Sequence, residues 1–279
     1  MLFRSYGKHL RVPIHAYLPL FVLDKHQNTW VHLNNCKDYV YNPELKQKLV
    51  LDPHHEDLID ALSETYTIDI KDVVEEKSGG TVVLSTGSAG IGKTLTAEIL
   101  SEVIKKPLYK INVSLLGTEP DEIEQKLQTA FNRANSWEAI LLLDEADLYI
   151  MERGSDIKHN AIVTVFLKGL EYSKGLTFLT TNKGKNVDDA IMSRCTAIIK
   201  YSNPNEEARL RLWEILSVQF GLKLSLEERQ TLTKEFPNAS GRDIKMMCIL
   251  VYKYCTAKRI NSSVEIFKKL SVFRGLSDA

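Results

Sequence analysis

Long apolar runs are missing from this sequence. No stretch approaches the roughly 18 residues that a membrane-crossing helix needs. The early "LPLFVL" at residues 18–23 is too short for a secretory signal core, and it runs into "DKHQN" with no small-residue cleavage site. Net charge is missing as well, with 36 Lys+Arg against 36 Asp+Glu and a pI of about 7.1. The chain therefore lacks the electrostatic footprint of a protein that lives on a nucleic-acid backbone, although a neutral total can hide a local basic stripe. Cysteine is sparse. Cys36, Cys195, Cys248 and Cys255 form no C-x-x-C pair, so buried thiols in a reducing compartment are expected rather than a disulfide frame or a zinc site. The pair His54 and His55 has no second pair at metal-ligand spacing. A soluble, cytoplasmic protein with no membrane partner is the expectation.

What is present is alternation. At 279 residues the chain can hold one large domain and a smaller companion. Residues 1–42 read as a β-rich extension, in which "LFVL" and "TWVHL" flank the polar turn "DKHQN" as a hairpin. From "YNPELKQKLVLDPHHEDLIDALSET" the pattern becomes helical. "TVVLST", "LYKINV", "AILLL", "LTFLTT" and "TAIIKY" then read as strands separated by helices, the pattern of a parallel sheet covered on both faces. After "SNPNEEARLRLWEILSVQFG" every segment is helical, with Gly221 where a helix ends and "SLEE" at Ser225–Glu228 as a capping box. The expected fold class is α/β: an αβα sandwich with a five-stranded parallel sheet over residues 43–202, then an all-helical lid over 203–279.

The strand "TVVLST" leads into Gly87, Ser88, Ala89, Gly90, Ile91, Gly92, Lys93, Thr94, which fits G-x-x-x-x-G-K-[ST]. Glycines let the backbone turn its N–H groups inward around phosphate oxygens, and the following helix aims its positive N-terminus at them. This loop and the next residue, Leu95, are the expected ATP contacts, with Lys93 reaching the β/γ-phosphates and Thr94 ligating Mg²⁺. A Gly-rich turn can be only a turn, but the placement between strand and helix is the context the chemistry requires. The strand "AILLL" delivers Asp144 at its C-terminal end, where it can hold Mg²⁺ through water. Glu145 is placed to polarise an attacking water as a general base.

Asp144–Asp147 spell D-E-A-D, the letters that mark a large class of RNA helicases. Such an enzyme needs a second lobe of alternating strands and helices, and after Asn182 too little chain remains, most of it helical. Taken in order, "GSAGIGKT", "LLLDEAD", "FLTTN", "DDAIMSR" and "SGRDI" instead resemble the AAA+ ATPases, over about residues 45–279. The resemblance implies that Asn182 is sensor 1, positioning the attacking water. It implies that Arg194 is an arginine finger reaching the neighbouring subunit's site, and that Arg242 is sensor 2, directed from the lid toward the γ-phosphate. It also implies a homo-oligomeric ring of six.

Some positions depart from the pattern. Ala89 stands where many members have proline, only one arginine accompanies the finger motif, and sensor 2 is present where protein-remodelling members usually lack it. In "NVSLLGTEPDEIE", Gly117 stands where polypeptide-threading members place a pore loop, but Leu115 and Leu116 replace the aromatic. These leucines either grip an extended chain or pack beneath the next helix. Two functions stay open: remodelling of a protein client, recruited by residues 1–42 or an adaptor, and an ATP-driven switch or loader on nucleic-acid machinery. Neutral charge favours the first, and Arg242 mildly favours the second.

Overall fold

The computed structural model describes residues 16–65, 80–184 and 186–276. These fall into two compact units, one ending at Val40 and the other starting at Tyr41. Residues 1–15 of the expected extension, 66–79 and 185 of the expected core, and 277–279 of the lid lie outside the described residues. In the first unit, β1 (Tyr17–Val22) pairs antiparallel with β2 (Gln27–His32), so that Val22 faces Gln27 across the turn. His26 takes the left-handed conformation there at φ 51°, which lets the short connection reverse the chain.

The second unit opens differently from the helical expectation. Pro43–Lys48 form a 3-10 turn, residues 49–52 follow without helix, and α1 (Pro53–Thr65) begins only at its proline. A residue before proline is pushed out of the helical region, while proline itself suits the first helical position, so the break belongs there. On α1, Ile59 is buried, with Leu58 and Leu62 partly buried beside it in the core.

The sheet contains β3 (Thr81–Thr86), β4 (Leu108–Asn112), β5 (Ile140–Asp144), β6 (Leu176–Thr181) and β7 (Ala197–Lys200), in the spatial order β4-β5-β6-β3-β7 with every pairing parallel. Ile140–Leu143 are all at most 1% exposed. Burial on both faces explains why this strand is a continuous apolar run rather than an alternating one. The helices of the layers are α2 (Lys93–Ile104), α3 (Pro120–Ser136), the one-turn α4 (Asp147–Ile150), α5 (Ile157–Leu170) and α6 (Asp189–Arg194). Ala97 and Leu100 of α2 pack into one core with Val83, Ile140, Leu142, Phe178 and Ile199. α3 starts with proline and two acids in its first turn, and buries Ile123, Leu127, Ala130, Phe131 and Ala134 at helical spacing. Each such aliphatic side chain contributes about 1.5–3 kcal/mol when fully buried.

Two features of the sheet determine the site. Register sets Thr86 level with Thr181 and Asn112 level with Asp144, so the C-terminal ends of four strands lie flush. And β6, late in the sequence, lies between β3 and β5. Four further helices follow: α7 (Glu206–Gln219), α8 (Leu226–Glu235), α9 (Gly241–Lys258) and α10 (Val264–Ser271). Their core centres on fully buried Trp213, which meets Phe236 and Phe267 at ring distances of 6.3 and 5.4 Å. Capping boxes at Ser225/Glu228 and Ser240/Asp243 begin α8 and α9, and Gly221 takes φ 68° just past α7.

Candidate functional site

The loop from Gly87 to Gly92 joins the C-terminal end of β3 to α2. Gly92 caps α2 at φ 106°, a conformation that costs an L-residue strain even though nothing lies within 4 Å of where its Cβ would stand. Lys93 follows and is 7% exposed. Its ammonium donates three hydrogen bonds, to Gly87 O at 2.8 Å, Ser88 O at 2.6 Å and Asn182 Oδ1 at 2.9 Å. All three partners are neutral oxygens, so a phosphate oxygen entering the loop would be a stronger acceptor than any of them. Burial draws the Lys93 pKa down, Asp147 and Asp144 push it back, Arg242 lowers it, and the net value lies below the ordinary one. Of the other loop residues, Ser88 donates to Asn203 Oδ1 at 3.4 Å, Ala89 is exposed, and Ile91 is half-buried against the sheet core. Leu95 points outward at 47% exposure.

Asp144 ends β5 one strand away from β6, and β6 supplies what it needs. Thr180 Oγ1 donates to Asp144 Oδ1 at 2.5 Å, and Thr94 Oγ1 donates to the same oxygen at 2.9 Å. Lys110 Nζ lies 3.1 Å from Oδ2. Burial alone would raise the Asp144 pKa, but the two hydroxyls and the ammonium outweigh it and hold the carboxyl below its usual range. A Thr hydroxyl beside one ionised carboxylate is a hard oxygen donor set that suits Mg²⁺. Among the described residues no group of three His, Cys, Asp or Glu could hold a metal by itself, so phosphates would have to supply further ligands, as Mg²⁺ allows.

Glu145 adopts φ 59°, unusual for a residue with a Cβ, and its N–H donates to Thr180 Oγ1 at 3.0 Å. That turn leaves its carboxylate exposed, where Oε2 accepts from Asn112 Nδ2 at 2.9 Å. Asp147 accepts twice on one oxygen, from Thr181 Oγ1 at 2.6 Å and from the Asn182 backbone N–H at 2.9 Å. Asn182, Lys93, Thr94, Asp144 and Glu145 thus converge through strand order. Thr180, Thr181, Asn112 and Asp147 complete the network and went unrecognised in the sequence. One signal was available: two threonines together at the end of a fully buried strand need hydrogen-bond partners.

Arg242 lies at the start of α9, where its N–H donates to Gly90 O at 3.0 Å. Gly90 is at φ 83°, and a Cβ there would stand 2.6 Å from Arg242 Cβ, so helix and loop touch too closely for any other residue. Arg194 stands apart from this group. It ends α6 with Nη2 on Glu171 Oε1 at 3.0 Å and Nη1 on Ala190 O at 3.3 Å.

Comparison with known proteins agrees with the geometry. Residues 83–203 match the ATPase family associated with various cellular activities (AAA). A putative 26S proteasome regulatory subunit homolog of Methanocaldococcus jannaschii is 31% identical over 175 residues, covering 58% of this chain and 46% of the relative. CD-NTase-associated protein 6 of Escherichia coli (strain MS 115-1) is 25% identical over 228 residues, covering 68% and 73%. The crystal structure of the FIGL-1 AAA domain in complex with ADP superposes with a TM-score of 0.62 at 17% identity, covering 82% of this chain and 83% of that one. The chain spans about half the length of the archaeal relative, which is 46% covered. Motif order, the P-loop between strand and helix, and the family match together identify residues 83–203 of this chain as a domain of the AAA ATPase family.

Proposed function

We propose that this chain binds ATP with Mg²⁺ and hydrolyses it, and that it works as a ring of identical subunits on a protein client. The observation that carries this reading is the network in which Lys93 donates to Asn182, Asp147 accepts from the Asn182 N–H, and Thr180 joins Asp144 to the Glu145 N–H. Lys93 and the backbone N–H groups of Gly87–Thr94 bind the phosphates. Thr94 and Asp144 are the residues that would hold Mg²⁺, which when bound screens the β- and γ-phosphate charge. Glu145 takes a proton from water as it attacks the γ-phosphorus, and for this its carboxylate must leave Asn112. Asn182 aligns that water, and Arg242 meets the γ-phosphate from the lid.

Arg194 belongs to the neighbouring subunit's site in this reading. Its side chain bonds to Glu171 and Ala190 rather than to a P-loop residue, and its place on a short, largely exposed helix supports that. A finger supplied in trans contributes roughly 10³–10⁵ in rate, which is about 4–7 kcal/mol. Head-to-tail contacts of this kind close into rings, and the family resemblance makes the ring six. A cytoplasmic setting accords with four free cysteines and with the lack, among the described residues, of any helix long and apolar enough to cross a membrane.

A protein client is supported by the proteasome regulatory subunit homologs among the relatives and by the neutral charge. In the loop after β4, Leu116 is 3% exposed and packed, whereas Leu115 is 56% exposed beside Gly117. The two leucines therefore divide the two roles, and Leu115 is the side chain available to a client. The test compares steady-state ATPase rates with unfolded protein, DNA and RNA added in turn. Stimulation by unfolded protein alone is expected. Stimulation by nucleic acid alone would instead favour a loader or switch on nucleic-acid machinery, as the presence of Arg242 does mildly.

A further inference from the structure

On β4, side chains two residues apart share a face. Asn112 on that face reaches Glu145, and Lys110 on the same face reaches Asp144. One strand thus holds both acids of the proposed hydrolytic pair. The two contacts differ in kind: Asn112 offers a neutral amide, while Lys110 brings a full charge to 3.1 Å from Asp144 Oδ2, the oxygen that neither threonine occupies. The same ammonium lies 3.4 Å from Glu98 Oε1 on α2. Asp144 is the enclosed partner, its side chain 13% exposed, whereas Lys110 and Glu98 are 43% and 45% exposed. Lys110 thus bridges two carboxylates at once, an enclosed one at Asp144 and an open one at Glu98.

We propose that Lys110 is a positioning residue that sets the affinity for the divalent cation, acting as a tethered monovalent competitor for Asp144 that retreats to Glu98 when the cation arrives. This rests on the reading of Thr94 and Asp144 as the Mg²⁺ residues. The electrostatic argument is direct. A unit charge repels a divalent ion at twice the unit-pair energy, and the repulsion persists even at the dielectric of water. Removing the ammonium leaves an uncompensated carboxylate, which binds the cation more tightly. Removing Glu98 deprives the ammonium of its retreat and has the opposite effect. Two substitutions on one ion-pair chain thus move a single constant in opposite directions, which a merely structural role would not do.

The experiment titrates Mg²⁺ into protein carrying one equivalent of a non-hydrolysable ATP analogue and reads the heat of cation binding, after subtraction of binding to free analogue. Lys110→Met is expected to tighten Mg²⁺ by about tenfold. Glu98→Gln should weaken it several-fold, and Lys110→Arg, which keeps the charge, should stay near the wild type. If Lys110→Met does not fold, Glu98→Gln on the half-exposed face of α2 tests the same device with opposite sign. Wild-type protein that takes up no Mg²⁺ with the analogue would remove the metal site itself, and this inference with it. Wild-type binding with an unchanged or weakened constant in Lys110→Met, or an unchanged one in Glu98→Gln, would overturn the role of Lys110 and leave the metal site standing.

Discussion

Asp147 is the last letter of a tetrapeptide that looks like a helicase signature, and its side chain has a specific job in this fold. One carboxylate oxygen accepts from Thr181 and from the backbone of Asn182, and the Asn182 side chain reaches Lys93. Asp147→Ala is expected to lower kcat about a hundredfold with KM nearly unchanged, because a displacement of order 1 Å at a water-positioning group costs that much. Asp147→Asn, which keeps an acceptor, should recover much of the loss, and steady-state kinetics of the two variants check this. An undiminished kcat in the alanine variant would show that Asn182 needs no such support. Gly87–Thr94, Asp144 and Glu145 could be picked out as candidates in the sequence because each occupies a fixed offset from a strand end, whereas Asn182 was a candidate only through the family resemblance. Asp147 and Asn112 could not, because their partners are brought together only by the order β4-β5-β6-β3, and no local spacing encodes that order.

At the level of elements, the short helix that presents Arg194 is held at its start. Asp188 caps α6 by accepting from Ala190 N–H at 2.9 Å, and its carboxylate takes Arg153 Nε at 2.8 Å and Nη2 at 3.3 Å. Backbone bonds from Asp188 N to Ile150 O and from Glu152 N to Asn186 O join the same two segments. The stretch leaving the Asp144–Glu145 turn is thereby fastened to the base of the Arg194 helix. Burial would raise the Asp188 pKa, but Arg153 and the Ala190 N–H hold it below the usual carboxylate range. A folded pKa below the unfolded one means stabilisation fully present above about pH 4 and lost as pH falls through the lower folded value. Asp188→Asn keeps the cap and loses the ion pair, so it should cost about 1 kcal/mol at neutral pH, discounted because Arg153 is 43% exposed. The gap between wild type and variant should narrow as pH falls below about 4 and close once the pH is beneath the lowered folded pKa, where both carry an uncharged side chain. Urea midpoints at pH 7 and pH 3 measure it, and a gap of equal size at both would contradict the assignment. The helices and strands themselves were legible from apolar periodicity and caps, except before α1, where the proline after "LVLD" delayed a helix that the apolar spacing alone places earlier.

At the scale of the whole chain, the P-loop meets the helical lid where Arg242 N–H donates to Gly90 O, at a point where a side chain on Gly90 could not fit, and where Ser88 donates to Asn203 Oδ1. The DEAD letters fall within residues 83–203, the stretch that matches the AAA family. The alternation of strands and helices made the fold class readable, while the insertion of β6 between the two nucleotide-binding strands, which assembles the site, was not. In the proposed hydrolysis Glu145 is the base that would activate water. The most direct measurement takes ATP binding and ATP turnover on the same samples of wild-type and Glu145→Gln protein. The account predicts equal or tighter ATP binding in the variant with turnover reduced by at least about a hundredfold; undiminished turnover would contradict it.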